Sequence, residues 1–187
     1  MKRLIFIVMF ILAFVFSLAA QQVQAGIRPI LEHYSTRSFI AGTVPKADLD
    51  TILQAGVRAP SARNLQPWHF TVVQNLELAR KIVPQTVEGN LLIIISAAGD
   101  GLTNTREIID CSLATQSIYL AAYALGYGSR IYTNPISAIN QNLKSELGFP
   151  AGYNAIALVR IGKFDEKADA VSGASSRKAL SSMINYK

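Results

Sequence analysis

Apolar and polar residues follow one another along the chain in two different periods, which predict helices and strands in turn. Leu49, Ile52, Leu53 and Val57 have the i, i+3, i+4, i+8 spacing of a helix with one buried face. Residues 69–73 are instead rich in aromatic and β-branched side chains, as in a strand. The same patterns predict helices at 27–33, 45–59, 75–82, 108–125 and 137–147, and strands at 69–73, 91–98, 128–132 and 155–161.

Two of these segments are apolar throughout. Residues 91–98 read LLIIISAA, and their lack of alternation predicts a strand that is covered on both faces. Residues 108–125 form a helix with apolar residues nearly all round, which is typical of a central helix or of a subunit interface. Three or four strands with helices between them predict an α+β fold. No GxGxxG motif opens a helix after a strand, so a Rossmann dinucleotide site is not supported.

Residues at the ends of the helices supply further predictions. Asn75 and Ser137 are candidate N-caps, because their side chains can accept a hydrogen bond from the first turn of a helix. Gly126 follows the long apolar helix and can take the left-handed conformation that ends it.

A short polar loop lies between a predicted helix and a predicted strand, in the sequence APSARNLQPWHF of residues 59–70. Pro60 and Pro67 bracket this loop, so that neither the helix nor the strand can extend across it. The loop carries Ser61, Asn64 and other hydrogen-bonding side chains. It is either an ordinary surface connection or a ligand-binding loop.

Residues 1–25 have the pattern of a secretory signal peptide. Lys2 and Arg3 precede the uncharged apolar stretch of residues 4–20, and Val23-Gln24-Ala25 supplies small residues before a cleavage site at Gly26. Residues 26–187 are then the mature domain, exported to the periplasm or the outside. The alternative is an uncleaved membrane anchor, because the apolar stretch is close to the shortest length that spans a bilayer.

The charged residues and the single cysteine restrict the possible functions. The net charge is +6, but Lys and Arg are scattered rather than clustered, so nucleic-acid binding is not expected. Cys111 is the only cysteine, so the chain can form no internal disulfide, and its apolar surroundings predict a small core residue.

The inventory of reactive side chains favours a cofactor over protein-borne chemistry. His33 and His69 lack partners at metal-binding spacing, and no GxSxG motif is present, so neither a metal site nor a serine hydrolase is expected. Hydrogen-bond donors instead occur in separate loops, at Ser35, Ser61 and Arg177 among other positions. Such donors suit an anionic cofactor that carries its own chemistry, with arginine on a phosphate.

Five segments stand in an order that identifies a family: YSTRSF, APSARNLQPWHF, SLATQSIYLAAYALGYGS, LGFPAGYNAIALVRIGKF and SSRKAL. This order resembles the nitroreductase family of FMN-dependent oxidoreductases from about residue 30 to the C-terminus. The most specific part is the PSxxNxQPW pattern within residues 60–68.

The resemblance implies cofactor-binding roles for four groups of residues. In the N-terminal loop, His33, Tyr34, Ser35 and Arg37 match residues on the phosphate and ribityl chain, with His33 where the family usually has arginine. Pro60, Ser61, Ala62 and Asn64 match the loop that reaches the flavin of the partner subunit. Tyr132, Thr133 and Asn134 match a backbone segment along the reactive edge of the flavin, which in the family often ends in two glycines. Arg177 matches a C-terminal arginine on the phosphate.

The resemblance also implies a fold and an activity. The fold is α+β, with a central, mostly antiparallel sheet flanked by helices, in an intertwined homodimer. FMN is the cofactor, and no side chain is assigned as catalytic because the flavin carries the chemistry. Hydride passes from NAD(P)H or another donor through flavin N5 to a nitroaromatic compound, a quinone or a similar small acceptor.

Two alternatives remain open from the sequence. One is a degenerate exported member that binds flavin or a partner without turnover, as His33 and Asn134 suggest. The other is a different chemistry of the same family, such as reductive dehalogenation or flavin fragmentation, which no residue selects.

Overall fold

Residues 26–99, 104–168 and 176–187 are described by the structure, a computed structural model. The predicted signal peptide, residues 1–25, lies outside them. The chain divides into two units, Met1–His33 and Tyr34–Lys187. In the first unit, residues 26–32 form helix α1, which agrees with the predicted helix. Arg28 Nε donates to Glu32 Oε2 at 2.6 Å across one turn of this helix.

The second unit is built on a four-stranded sheet. Its strands are β1 (His69–Val73), β2 (Leu91–Ala98), β3 (Gly128–Tyr132) and β4 (Tyr153–Gly162). They lie in the order β1-β2-β4-β3, and each neighbouring pair is antiparallel. The predicted α+β fold with a mostly antiparallel central sheet is therefore confirmed, and the bounds of β1, β2 and β3 are those predicted.

Helices cover both faces of the sheet. They are α2 (Lys46–Val57), α3 (Leu76–Ile82), α4 (Thr105–Ala124) and α5 (Ile136–Ala138), and α5 continues into a π-helical turn (Ile139–Leu143). Helices α2 and α4 pack on one face, and α3, α5 and the π turn on the other. Within the described parts of the chain, no helix combines the length and apolar character needed to cross a membrane.

Both faces of strand β2 are covered, which explains why apolar and polar residues do not alternate along it. Ile93 and Ile95 pack under α2 and α4, whereas Leu92 and Ile94 pack under α3 and α5. All four side chains are fully buried. The prediction of a strand that is covered on both faces is confirmed.

The ends of the helices agree with the predictions at two positions. Asn75 Oδ1 accepts a hydrogen bond from the Leu78 N–H at 2.9 Å, as expected for an N-cap. Gly126 follows α4 with φ +80°, the left-handed conformation expected there. Helix α4 begins three residues before the predicted start, because Asn104 caps it by accepting from the Arg106 N–H.

The helix predicted from Ser137 to Leu147 is confirmed in part: residues 136–143 are helical, and turns follow them. Pro135 is the residue before α5, and Ser137 lies inside this short helix with no capping hydrogen bond. In the π turn that follows, Ile139 and Leu143 pack on the face of the sheet that α3 and α5 cover. The 3.6-residue pattern placed the apolar side chains on the correct face but could not show that the backbone widens.

A buried arginine joins the sheet to the N-terminal segment of this unit. Arg160 on β4 is 3% exposed, and its Nε and Nη2 atoms donate to Asn90 Oδ1 at 3.0 and 2.8 Å. Its guanidinium lies over the Phe39 ring, with Cζ 4.0 Å from the centroid. Asn90 Nδ2 in turn donates to the Ile40 carbonyl at 3.1 Å. Gly162 leaves room for this amide, because a Cβ there would lie 2.3 Å from Asn90 Nδ2.

Candidate functional site

The Pro60–Gln66 loop adopts an unusual backbone conformation. Ala62–Asn64 form one turn of 3-10 helix, and Arg63, Asn64 and Gln66 have φ of 54°, 55° and 46°. The left-handed region costs a residue with a side chain roughly 1–2 kcal/mol, and none of the three is glycine. Interactions of the loop must therefore stabilise this conformation.

Part of that stabilisation comes from within the loop. The Asn64 N–H donates to the Ser61 carbonyl at 3.0 Å, and the Gln66 N–H donates to Ser61 Oγ at 3.0 Å. Ser61 Oγ thus accepts a bond inside the loop, which leaves its hydroxyl hydrogen to donate to another acceptor. Pro60 and the predicted site residue Ala62 are exposed beside it.

A contact from outside the loop comes from Asp110 on α4, which was not among the predicted site residues. Its Oδ1 and Oδ2 atoms both accept from the Ala62 N–H, at 3.1 and 3.2 Å, and the residue is 3% exposed. The sequence offered one signal for it, because Asp110 is the only acid in the predicted apolar helix 108–125. It could not show the partner, which lies 48 residues earlier.

Helix α2 brings the loop against α4. Gly56, in the last turn of α2, lies so close to α4 that a Cβ there would be 2.8 Å from Ile118 Cδ1. The loop begins four residues later. A side chain at position 56 would push the end of α2, and with it the loop, away from Asp110.

A cavity of about 370 Å³ lies on the same side of the sheet, between α4 and the strands β3 and β4. Its wall is mixed, with isoleucines and alanine beside hydroxyl and amide side chains. The lining residues are Ile108, Ser112, Thr115, Gln116, Ile131, Thr133, Ile156 and Ala157. Thr133 is the one predicted site residue among them.

A polar cluster lies further along α4, around Tyr119. Ser35 makes a side-chain hydrogen bond with Tyr119, and Arg177 is close enough for its charge to act on the same hydroxyl. Burial raises the pKa of Tyr119, while the Ser35 bond and the Arg177 charge oppose this rise. Two predicted site residues from opposite ends of the unit are thus brought together.

The cavity and the Tyr119 cluster lie along one face of α4, and we call the strip of α4 and β3 that joins them the groove. Ile108, Ser112, Thr115 and Tyr119 have the i, i+4, i+7, i+11 spacing of one helix face and span roughly 16 Å along the axis. Strand β3 runs beside them, since Ser129 Oγ donates to the Tyr119 carbonyl at 2.8 Å while Ile131 lines the cavity. The groove is polar and cationic at one end and mixed at the other.

The other predicted site residues lie elsewhere. Tyr34, directly before Ser35, is half-buried, and Arg37, two residues after it, is exposed. His33 belongs to the first unit, where it follows α1. Asn134 is exposed next to Thr133. The Tyr132 side chain lies on the face of the sheet that α3 and α5 cover, opposite the cavity. It interacts there with Arg160. Their roles toward a flavin stay predictions.

Cys111 is a core residue, as predicted. It is fully buried beside Asp110, and burial, followed by the charges of Asp110 and Glu107, raises the pKa of its thiol to about 12. The thiol is therefore protonated at neutral pH. Among the residues that the structure describes, no three His, Cys, Asp or Glu side chains are grouped as metal ligands.

Known proteins that are similar to this chain carry the name nitroreductase. Residues 30–98 match the model of the nitroreductase family. A protein of Archaeoglobus fulgidus that carries the name NADH dehydrogenase/NAD(P)H nitroreductase is 31% identical over 152 residues, which cover 76% of this chain and 87% of that protein. The oxygen-insensitive NAD(P)H nitroreductase of Salmonella typhimurium is 37% identical over 86 residues, which cover 44% of this chain but 33% of the enzyme.

Solved structures share the fold. A nitroreductase with bound FMN from Desulfitobacterium hafniense superposes with a TM-score of 0.72 at 23% identity, over 87% of this chain and 98% of that one. Nitroreductase A from Vibrio parahaemolyticus gives a TM-score of 0.75 at 21% identity, over 87% of this chain and 75% of that one.

Proposed function

The chain belongs to the nitroreductase family, and we propose on that basis that it is an FMN-dependent oxidoreductase. It takes electrons from NAD(P)H or another donor and passes them to a nitroaromatic compound, a quinone or a similar acceptor. The observation that carries this proposal is the groove along α4 and β3, with Ser35 and Arg177 at one end and the cavity at the other.

The side chains of the groove fit the parts of FMN. A hydroxyl and a guanidinium at the Tyr119 end suit a phosphate, because charge-assisted hydrogen bonds to an anion are the strongest available. Ile108, Ile131 and Ile156 supply apolar wall at the cavity end, where Thr115 and Gln116 can bond to the polar edge of a ring system. FMN, when bound, supplies the two-electron chemistry, and these residues bind and orient it.

The proposed enzyme is a homodimer. Helix α4 exposes Ile109 and Leu113, one turn apart on the same face, at 54% and 39% of their surface. Exposed apolar residues on a helix of this length suit a helix–helix contact between two subunits. Leu113→Glu should give a monomer by size-exclusion chromatography and release the flavin, whereas an unchanged dimer would contradict the assignment of this face.

The test of the cofactor uses purified protein. We expect flavin absorbance in residues 26–187 after addition of FMN and gel filtration, and bleaching by NADH or NADPH without oxygen. A protein that stays colourless with excess FMN would overturn the proposed function.

Two variants test how the phosphate is held. Wild-type protein should prefer FMN to riboflavin, which lacks the phosphate. Arg177→Ala should weaken FMN binding roughly 10- to 100-fold, the value of one charge-assisted hydrogen bond, and riboflavin binding hardly at all. Lys178→Ala, which removes the neighbouring positive charge, is the matched control and should leave both affinities within about 2-fold of wild type.

The degenerate family member is the second candidate function. Thr133 places a side chain on the cavity wall, at a position where the family often has glycine. A protein that binds FMN but is not bleached by NADH, NADPH or dithionite-reduced viologen would select this candidate. Recovery of reduction in Thr133→Gly would identify the side chain as the cause.

Export remains part of the proposal. The pattern of residues 1–25 supports cleavage before Gly26. The mass of the protein recovered from the periplasm or medium of expressing cells should match residues 26–187. A full-length, membrane-bound product would show that the segment is an anchor.

A further inference from the structure

We propose that Asp110 is the positioning residue of the Pro60–Gln66 loop. By accepting the Ala62 N–H, it holds the loop in the conformation that presents Ser61 and Asn64 to a cofactor. This inference rests on the proposed function where it concerns flavin, but the hold on the loop itself can be tested without a cofactor.

The loop depends on an interaction from outside. Arg63, Asn64 and Gln66 are left-handed, and Ala62 and the residues after it are exposed. Within the described residues, Asp110 supplies the side-chain hydrogen bond that this loop receives from elsewhere in the chain. Strained backbone at an exposed loop persists only where neighbouring structure fixes it. The 3-10 turn begins at Ala62, so a hold on its N–H fixes the start of the turn.

The burial of Asp110 is explained by the same contact. A carboxylate inside an apolar helix is unfavourable unless it is hydrogen-bonded. Both oxygens of Asp110 converge on one backbone N–H, at 3.1 and 3.2 Å. An apolar side chain would suit the interior of α4 better, so the acid at this position serves the loop rather than the helix.

Helix α4 relates the loop to the groove. Ile108, Ser112 and Thr115 line the cavity from this helix, and Asp110 lies between them in sequence on another face. One rigid element therefore sets the cavity wall and the start of the loop, which is how a site is held to the tolerance that binding needs. In the proposed dimer, a loop fixed in this way is ready for the flavin of the partner subunit.

Amide hydrogen exchange of the cofactor-free protein tests the hold on the loop. Asp110→Ala removes the acceptor, Asp110→Asn keeps an acceptor oxygen, and Cys111→Ala removes a buried side chain of similar size that does not contact the loop. We expect exchange of the peptide covering residues 59–66 to accelerate roughly 10-fold or more in Asp110→Ala and to stay within about 3-fold of wild type in the other two. Equal exchange in wild type and Asp110→Ala would overturn the proposal.

Flavin binding provides the second readout. FMN affinity should fall roughly 10-fold or more in Asp110→Ala and return to within about 3-fold in Asp110→Asn, while Cys111→Ala binds as wild type. Tight binding by Asp110→Ala with an exchanging loop would overturn the link to the cofactor. A wild-type protein that binds no FMN would defeat the proposed function, and the exchange comparison would still decide whether Asp110 holds the loop.

A double-mutant comparison separates this contact from a general loss of structure. Ala62→Pro removes the N–H donor, and the extended Ser61 before it accommodates proline at the first position of the turn. If the contact is the cause, Asp110→Ala should change loop exchange less than about 2-fold when introduced into Ala62→Pro. An equal effect in both backgrounds would mean that Asp110 acts through the core instead. If Asp110→Ala alone folds poorly, Ala62→Pro alone tests the contact from the donor side, and loop exchange as slow as in wild type would overturn the proposal.

Discussion

Asp110 and Arg160 are two equally buried charges with opposite surroundings. Each is 3% exposed, Asp110 on α4 and Arg160 on β4. The partner of Asp110 is a backbone N–H in an exposed, strained loop. The partners of Arg160 are the Tyr132 side chain, the buried Asn90 amide and the Phe39 ring, and the last two tie the sheet to the preceding segment.

The difference separates a charge that serves a site from one that serves the fold. Removing Asn90 takes two hydrogen bonds from a guanidinium inside the protein, where solvation is poor. Removing Asp110 leaves an N–H that water can reach, because Ala62 is exposed. We therefore expect Arg160 and Asn90 to determine stability, and Asp110 to determine the geometry of the loop.

The largest expected effect is on the arginine side. Asn90→Ala should lower the free energy of unfolding by about 3 kcal/mol, because a buried charge loses two of its hydrogen bonds. Urea denaturation measures this change. Asn140→Ala is the matched control: this amide makes two hydrogen bonds with the uncharged backbone of Ala155, so about 2 kcal/mol is expected. Equal losses in the two variants would contradict the role given to the charge.

A smaller stability effect is expected on the aspartate side. Asp110→Ala should lower the free energy of unfolding by about 1 kcal/mol, the usual net value of one hydrogen bond, since water replaces the lost partner. The same urea titration checks it. A loss as large as that in Asn90→Ala would erase the distinction between the two buried charges.

The aromatic contact of Arg160 should contribute less again. Phe39→Leu keeps an apolar side chain but removes the ring beneath the guanidinium, and should cost about 0.5 kcal/mol. Phe39→Tyr, which keeps the ring, is the control in the same denaturation assay. If leucine and tyrosine are equally tolerated, the ring contributes only its volume.

The smallest expected effect is that of the Asp110 charge on the pKa of the Cys111 thiol. The raised thiol pKa means that the folded state favours the protonated thiol. Its contribution to stability is therefore complete below pH 9.0, the ordinary thiol value, and is lost as pH rises toward about 12. Cys111→Ala should remove this part of the alkaline destabilisation. Asp110→Asn should reduce it only slightly, because burial is the largest cause. Unfolding measured from pH 8 to 11 checks both, and identical profiles for wild type and Cys111→Ala would refute it.

The sequence was sufficient for the elements and for part of the groove. Strands β1, β2 and β3 could be delimited because their apolar runs stop at turn residues, and the family segments indicated Ser35, Arg177 and Thr133. The π turn after α5 could not be foreseen, because its apolar spacing still resembles that of a helix. Arg63 likewise gives no sign of a left-handed backbone, for which glycine or asparagine is the usual signal.

The two buried charges escaped prediction for a different reason. Periodicity shows which side of an element is apolar. Whether a charged residue can be buried on that side depends on the group that it contacts. Asp110 meets Ala62 across 48 residues, and Arg160 meets Asn90 across 70. Only the folded chain brings such pairs together. In the sequence, a polar residue at an apolar position therefore indicates a contact but not the partner residue.

The glycine-free Pro60–Gln66 loop also has a thermodynamic consequence. Its left-handed residues are ordered as the chain folds, so little conformational entropy is left to lose when a ligand arrives. Under the proposed function, the binding of FMN should show a smaller entropic penalty in wild-type protein than in Asp110→Ala. The backbone strain that the loop accepts on folding therefore lowers the entropy that is lost later, when the cofactor binds.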